Sequence, residues 1–209
     1  NYFLVAAVLL KTNIYLSFSA VFFSITLKGN GMLSQGMIHL YIGNGKGKTT
    51  AAAGLAVRAL GAGLKVFFVQ FLKNTVTGEK NILEKFTGKL YFFRPNQRHP
   101  LFLWKMTEKQ LAETQEDLQE GWRHVREEIL SGKWDVVVLD EILDVIGSRL
   151  LSEEDIADVL IKKPGKTEII CTGRDASDSL RKLADYISLI EKVKHPYDKG
   201  ICARNGIEY

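Results

Sequence analysis

The segment Gly43-Asn44-Gly45-Lys46-Gly47-Lys48-Thr49-Thr50 concentrates more chemistry than any other in the chain. Its three glycines let the backbone turn tightly and aim N–H groups at a common point. Lys48 adds a full positive charge, and a helix opening at Lys48 adds the partial charge of its N-terminus. Thr49 offers a hydroxyl to Mg²⁺ (or Mn²⁺). Such a loop suits a nucleotide polyphosphate, with Gly43 to Thr50 as its binding residues. It departs from G-x-x-x-x-G-K-[ST], because Ile42 stands where the first glycine belongs. Counted from Gly43, the loop is one residue short.

The second half of a phosphate site is an acid at the end of a buried strand. Val136-Val137-Val138-Leu139-Asp140-Glu141 supplies two. One of them is expected to reach the metal held by Thr49, and spacing leaves open which. The other carboxylate would orient a water in a hydrolytic ATPase, so that reaction stays open on spacing alone. No Ser-His-Asp or Cys-His constellation stands out. The four histidines lie far apart, with no H-E-x-x-H among them. Cys171 and Cys202 form no C-x-x-C pair, which favours a reducing, cytoplasmic setting.

Positioning these groups requires strands that end at the loop and at the acids. Met37 to Ile42 reads as a strand, and Lys48 to Leu60 as an alanine-rich helix closed by Gly61 and Gly63. Further strands are expected at 65–71, 89–93, 135–139, 167–171 and 186–190. Thr107 opens a long helix, with Gln110 completing a capping box. Its Leu111, Leu118, Trp122, Val125 and Ile129 recur at helical spacing and read as a core-facing stripe. Ser152 caps a shorter helix through Asp155, and another runs from Ser177 to Ala184. This alternation predicts an α/β fold: a single P-loop NTPase-like (RecA-like) domain over 32–209, its mostly parallel sheet covered by helices on both faces.

The chain has 209 residues and a formal net charge of +4, unevenly placed. Residues 1–78 hold seven Lys or Arg and no Asp or Glu; the first acid is Glu79. This points to an anionic ligand near the front of the chain. Seven cations over 78 residues are few for a nucleic-acid footprint, so no nucleic-acid partner is expected. Residues 1–31 are largely apolar. The length suits a membrane helix, and a membrane-associated protein follows if they are native. A signal peptide fits less well, since Lys11 breaks the run. They also read as sequence upstream of the natural start, because Met32 and Met37 stand just before the first motif, or as a soluble hydrophobic extension.

The motifs taken together resemble one family, the P-loop ATP:corrinoid adenosyltransferases. GNGKGKTT is that family's short loop. VQFLK (Val69 to Lys73) followed by TGE (Thr77 to Glu79) is similar to it, as are VVLDE (Val137 to Glu141) and TGR (Thr172 to Arg174). KHPYDKGI (Lys194 to Ile201) and ARNGIEY (Ala203 to Tyr209) extend the likeness to the chain's end. It runs from about Ile38 onward; residues 1–31 do not resemble the family's polar helical start. The resemblance implies that cobalt(I) of a reduced corrinoid attacks the 5′ carbon of ATP and that triphosphate leaves. It further implies ATP as co-substrate, Mg²⁺ or Mn²⁺, and ATP bound with its terminal phosphate deep in the loop. A flavodoxin-like electron donor and a homodimer are implied as well.

Residue by residue, the likeness gives Lys48, Thr49 and Glu141 catalytic roles, with Thr49, Asp140 and Glu141 toward the metal. Arg58 matches an arginine near the nucleotide. Phe102 and Trp104 match an aromatic pair against the lower corrin face, although Leu103 and Leu101 depart from the Thr and Gly expected there. Arg174, Lys194 and His195 match motif positions without an assigned role. Beside this reading stand a RecA-like ATPase or small-molecule kinase, and a corrinoid carrier or other binding module.

Overall fold

The computed structural model describes residues 33–208, apart from 74–75, 96–97 and 99–104. The expectations for 1–31 and for Phe102 and Trp104 therefore lie outside the described residues.

Six strands form one sheet: β1 (Ile38–Ile42), β2 (Val66–Gln70), β3 (Leu90–Phe93), β4 (Val136–Asp140), β5 (Glu168–Thr172) and β6 (Tyr186–Leu189). Their order is β3-β2-β4-β5-β1-β6, and every pairing is parallel. Among the described residues six α-helices join them: α1 (Lys48–Gly61), α2 (Gly78–Leu83), α3 (Glu108–Leu130), α4 (Ile142–Gly147), α5 (Glu153–Lys162) and α6 (Asp178–Leu183). A 3₁₀ turn, Pro196–Lys199, follows β6. The expected strands and the longer helices form where the sequence places them. The short helices α2 and α4 were not anticipated.

The period of two along β2 divides the core. Phe67 and Val69 join one buried cluster with Leu118, Trp122, Val125 and Ile129 of α3 and with α4, α5 and α6. Val66 and Phe68 join another with Ala52, Ala56, Ala59 and Leu60 of α1. Both faces are thus covered, and β2 and β4 are buried at every position. Such near-continuous apolar runs are the mark of a central parallel strand. Alanines along α1 favour the helix intrinsically and let it approach the sheet closely. Over the other face, stacked Phe67, Tyr91 and Trp134 pack beside His124.

Caps fix the helix starts. Thr107 and Gln110 form the expected capping box on α3. Ser152 accepts from Asp155 N at 3.3 Å, and Ser177 from Leu180 N at 3.3 Å. One expectation fails: Leu111 is 38% exposed rather than core-facing. It sits in the first turn of α3, ahead of Thr114 and Leu118, where the buried stripe begins. Among the described residues, no helix is long and apolar enough to cross a membrane.

Cys171 lies fully buried on β5, and burial pushes its thiol up to about 12, whereas Cys202 is exposed. A thiol reagent near neutral pH is therefore expected to modify Cys202 quickly and Cys171 only after unfolding. Rapid modification of both in the folded protein would contradict this core.

Candidate functional site

In an open parallel sheet, ligands bind outside the C-terminal strand ends. Here β1 runs into the glycine loop and β4 into the paired acids, with β5 between them. Register brings three polar strand ends into one row. Gln70 pairs with Asp140, and the Leu139–Cys171 pairing sets Asp140 beside Thr172.

Asp140 is completely buried. Its Oδ1 accepts from Thr49 Oγ1 at 2.9 Å and from Thr172 Oγ1 at 2.8 Å. Its Oδ2 accepts from Gln70 Nε2 at 3.1 Å and Lys73 Nζ at 3.3 Å. The network extends outward. Gln70 Nε2 also donates to Glu79 at 2.9 Å, and its Oε1 accepts from the buried Arg94 guanidinium at 2.6 and 3.1 Å. Arg94 donates in turn to Thr77 at 3.0 Å. Both oxygens of the Asp140 carboxylate are thus paired, as burial requires.

Glu141 follows in a left-handed conformation, φ 65°. A non-glycine residue rarely adopts it, and such strain concentrates at functional sites. Its N–H donates to Thr172 Oγ1 at 2.8 Å, which fixes the turn. Burial, then the neighbouring Asp140, pushes the Glu141 carboxyl up to about 7.

The loop is anchored from the side. Gly43 N donates to Arg174 O at 2.9 Å, and Gly45 N to Ile190 O at 2.8 Å. Asn44 Oδ1 accepts from Lys192 N at 2.9 Å. A Cβ on Gly43, where φ is 117°, would lie 2.3 Å from Ile190 O, and one on Gly45 would lie 2.7 Å from the same atom. Glycine is therefore required at both positions by close approach of the segment after β6. These two amides tether the loop instead of pointing at a ligand, which corrects the expectation that the glycine N–H groups all converge. Lys48 Nζ donates to Gly43 O at 2.6 Å and Gly45 O at 2.9 Å, curling over the loop. Burial lowers the Lys48 ammonium below the ordinary lysine range, and Asp144 nearby opposes that.

A cleft of about 380 Å³ opens over the loop. Gly45 to Thr50, Lys73, Glu79 and Glu141 line it, and the C-terminal residues Gly206, Ile207 and Glu208 close one side. Lys46 Nζ stands 3.4 Å from Glu208, whose carboxylate also takes the Arg204 guanidinium at 3.0 Å. Hydrogen bonds from the Arg204 side chain and backbone N–H hold Glu208 down to about 2.

The structure thus brings together Gly43 to Thr50, Asp140 and Glu141. It adds Gln70, Lys73, Thr77, Glu79, Arg94 and Thr172, to which sequence reading gave no role in the site. Gln70 and Lys73 had a signal as polar residues inside the otherwise apolar VQFLK run, and Thr77, Glu79 and Thr172 lie in the TGE and TGR motifs; Arg94 had none. Arg174 contributes its backbone, donating N–H to Asp144 Oδ1 at 3.2 Å, while its side chain is 77% exposed. Arg58 is exposed in the last turn of α1 and does not line the cleft. Lys194 is exposed, and His195 Nδ1 caps the 3₁₀ turn by accepting from Tyr197 N at 3.1 Å.

The raised Glu141 carboxyl has a stability consequence. Its stabilising contribution is full below the ordinary carboxylate value of 4.5 and is lost as pH rises through about 7. Ligand-free protein should lose stability across that window, and Glu141→Gln should flatten the decline. Equal slopes in chemical unfolding of the two proteins would refute the assignment.

The family model described as ATP:corrinoid adenosyltransferase BtuR/CobO/CobP matches residues 34–209. The corrinoid adenosyltransferase of Escherichia coli (strain K12) is 36% identical over 176 residues, which cover 84% of this chain and 86% of that protein. Corrinoid adenosyltransferase CobA of Salmonella typhimurium matches at the same identity and coverage. The corrinoid adenosyltransferase of Sinorhizobium sp is 30% identical over 177 residues, 84% of this chain and 81% of that protein.

Proposed function

Because the chain belongs to the ATP:corrinoid adenosyltransferase family, we propose that its phosphate loop serves to hold a departing triphosphate rather than to transfer a phosphoryl group. The enzyme transfers the 5′-deoxyadenosyl group of ATP to the cobalt(I) of a reduced corrinoid. Cobalt supplies the electron pair, a Co–C bond forms at C5′, and the C5′–O bond breaks. Triphosphate leaves with that oxygen. The observation that carries this reading is the make-up of the cleft: three lysines (Lys46, Lys48, Lys73) beside the carboxylates of Glu79, Glu141 and Glu208, with no Ser, Cys or His among its described lining residues. A reaction whose nucleophile arrives with the substrate asks the protein for positioning and charge stabilisation alone.

Lys48 and Lys46 bind the triphosphate oxygens, and Thr50 and the loop backbone hold it in place. Thr49, Asp140 and Glu141 are the residues that would hold Mg²⁺ or Mn²⁺. They fit a hard cation, since oxygens of Thr49, Asp140, Glu141 and Glu79 already lie within 3.9 Å of one, the Lys73 ammonium. When bound, the metal would neutralise charge developing on the leaving triphosphate. Phe102 and Trp104 meet the corrin face, and Arg58, Arg174, Lys194 and His195 serve the substrates; the family resemblance alone supports these roles. A flavodoxin-like donor supplies the electron, on the same support.

The protein works as a homodimer in the cytoplasm. Exposed Tyr186, Ile187 and Leu189 on edge strand β6 support association, and the free thiols of Cys171 and Cys202 support a reducing compartment.

The test is anaerobic incubation with Mg-ATP and chemically reduced cobalamin. A light-sensitive adenosylated corrinoid should form with one equivalent of triphosphate, and ADP in its place would defeat the proposal. Lys48→Ala should lower turnover at least ~100-fold, by analogy with loss of one preorganised charge-stabilising donor. Phe102→Ala and Trp104→Ala should leave ATP binding intact and impair activity with cobalt(II) substrate coupled to a reductase. Normal coupled activity in both would remove these aromatics from the corrinoid side.

A further inference from the structure

The most unusual group in the cleft is Lys73. It follows β2 and is mostly buried, with its side chain 24% exposed. Its Nζ lies 3.1 Å from Thr49 Oγ1 and 3.3 Å from Asp140 Oδ2, then 3.8 Å from Glu79 Oε1 and 3.9 Å from Glu141 Oε1. Burial alone would pull this ammonium down, but Asp140, Glu141 and Glu79 together hold it above the ordinary lysine value. Three carboxylates converge on one charge, and Thr49, Asp140 and Glu141 among these partners are the oxygen donors assigned to the divalent metal.

We propose that Lys73 is a positioning residue that occupies the divalent-cation place in the nucleotide-free enzyme and yields it only to a metal arriving with ATP. The inference rests on the reading of Thr49, Asp140 and Glu141 as the metal's holders. Three arguments carry it. Lysine presents a compact point charge with three rotatable donors, the protein group nearest in kind to a small hard cation. A divalent ion bound about 2.1 Å from these oxygens would stand close beside Lys73 Nζ, and the repulsion between the two cations drives Nζ out as the metal enters. Polyphosphate gives it somewhere to go, because Lys73 lines the same cleft as Lys46 and Lys48. Among the described residues, moreover, no group of three or more His, Cys, Asp or Glu is arranged to hold a metal. Mg²⁺ in nucleotide sites is bound by one or two carboxylates plus substrate phosphates. The metal thus depends on ATP twice over, for its remaining ligands and for the removal of Lys73.

This arrangement explains how a cluster of Asp140, Glu141 and Glu79 stays stable before substrate binds. Like charges this close repel strongly unless a cation lies among them. It also makes binding ordered: free metal ion is refused, and metal with ATP is accepted.

The test is electron paramagnetic resonance titration of Mn²⁺ into nucleotide-free protein, wild type against Lys73→Met, Lys73→Gln and Lys73→Arg. Wild type and Lys73→Arg should bind Mn²⁺ weakly, whereas Lys73→Met and Lys73→Gln should bind at least ~10-fold more tightly, since a full charge is removed from beside the ion. A structural lysine would not give tighter metal binding when lost. Circular dichroism establishes that each variant is folded, and two replacements guard against one that is not. Unchanged or weaker Mn²⁺ binding in both neutral variants overturns the proposal. The parent reading is checked separately: failure of wild type to take up Mn²⁺ even with ATP would remove Thr49, Asp140 and Glu141 as metal holders, and Lys73's role with them.

Discussion

The site depends on one buried carboxylate. Asp140 has no contact with solvent, and four donors from separate parts of the chain converge on it: Thr49 of α1, Gln70 of β2, Lys73 beyond β2 and Thr172 of β5. A buried charge is tolerated only when fully paired, and removing one partner typically costs about 3–5 kcal/mol. This requirement ties the first turn of the loop helix to the ends of three neighbouring strands. The distance from loop to acids is therefore set by hydrogen bonds rather than by loop flexibility. Glu141, one residue further, takes its strained turn because Thr172 is already committed to both residues.

A second constraint acts from the opposite side. The shortened loop lacks the usual first glycine, and its Gly43 and Gly45 lean on backbone after β5 and β6. Two amides hold the loop down instead of facing a ligand. The lysines compensate: Lys48 arches over the loop carbonyls, Lys46 projects to the rim, and Lys73 stands among the acids. What results is a set of lysine charges available to a polyanion, with the cleft's own carboxylates paired to them from within. Glu208 shows the same preference for anions, since the C-terminal tail brings its carboxylate to Lys46. A site that stabilises a highly charged leaving group, and leaves the nucleophile to the substrate, is consistent with these features.

Most of this fold was legible in the sequence. The β-branched run of β4 and the alternation of strands with helices announced a parallel sheet, and Thr107, Ser152 and Ser177 cap as their residue types dictate. Leu111 misled because helical spacing records a face and not where that face meets the sheet. The helices α2 and α4 span six residues each, too few for a periodic signal, and neither has the side-chain cap that Ser177 gives the equally short α6. In the site, the loop and the acid pair were plain, since each is a local pattern. Gln70, Arg94 and Thr172 were not, because their role arises from strand register between segments far apart in the chain. The tail was recognised as a motif, but its proximity to Lys46 spans more than 150 positions and leaves no local trace.

The central claim is that the loop holds a leaving group and that bonds at phosphorus stay intact. ATP carrying ¹⁸O in the bridge between C5′ and the α-phosphorus tests it directly, with reduced corrinoid as acceptor and ³¹P resonance as readout. Cleavage at C5′ predicts that all the label emerges in an unbroken triphosphate. Label retained on an adenosine-containing product, with free phosphate or a phosphorylated acceptor beside it, would contradict the account.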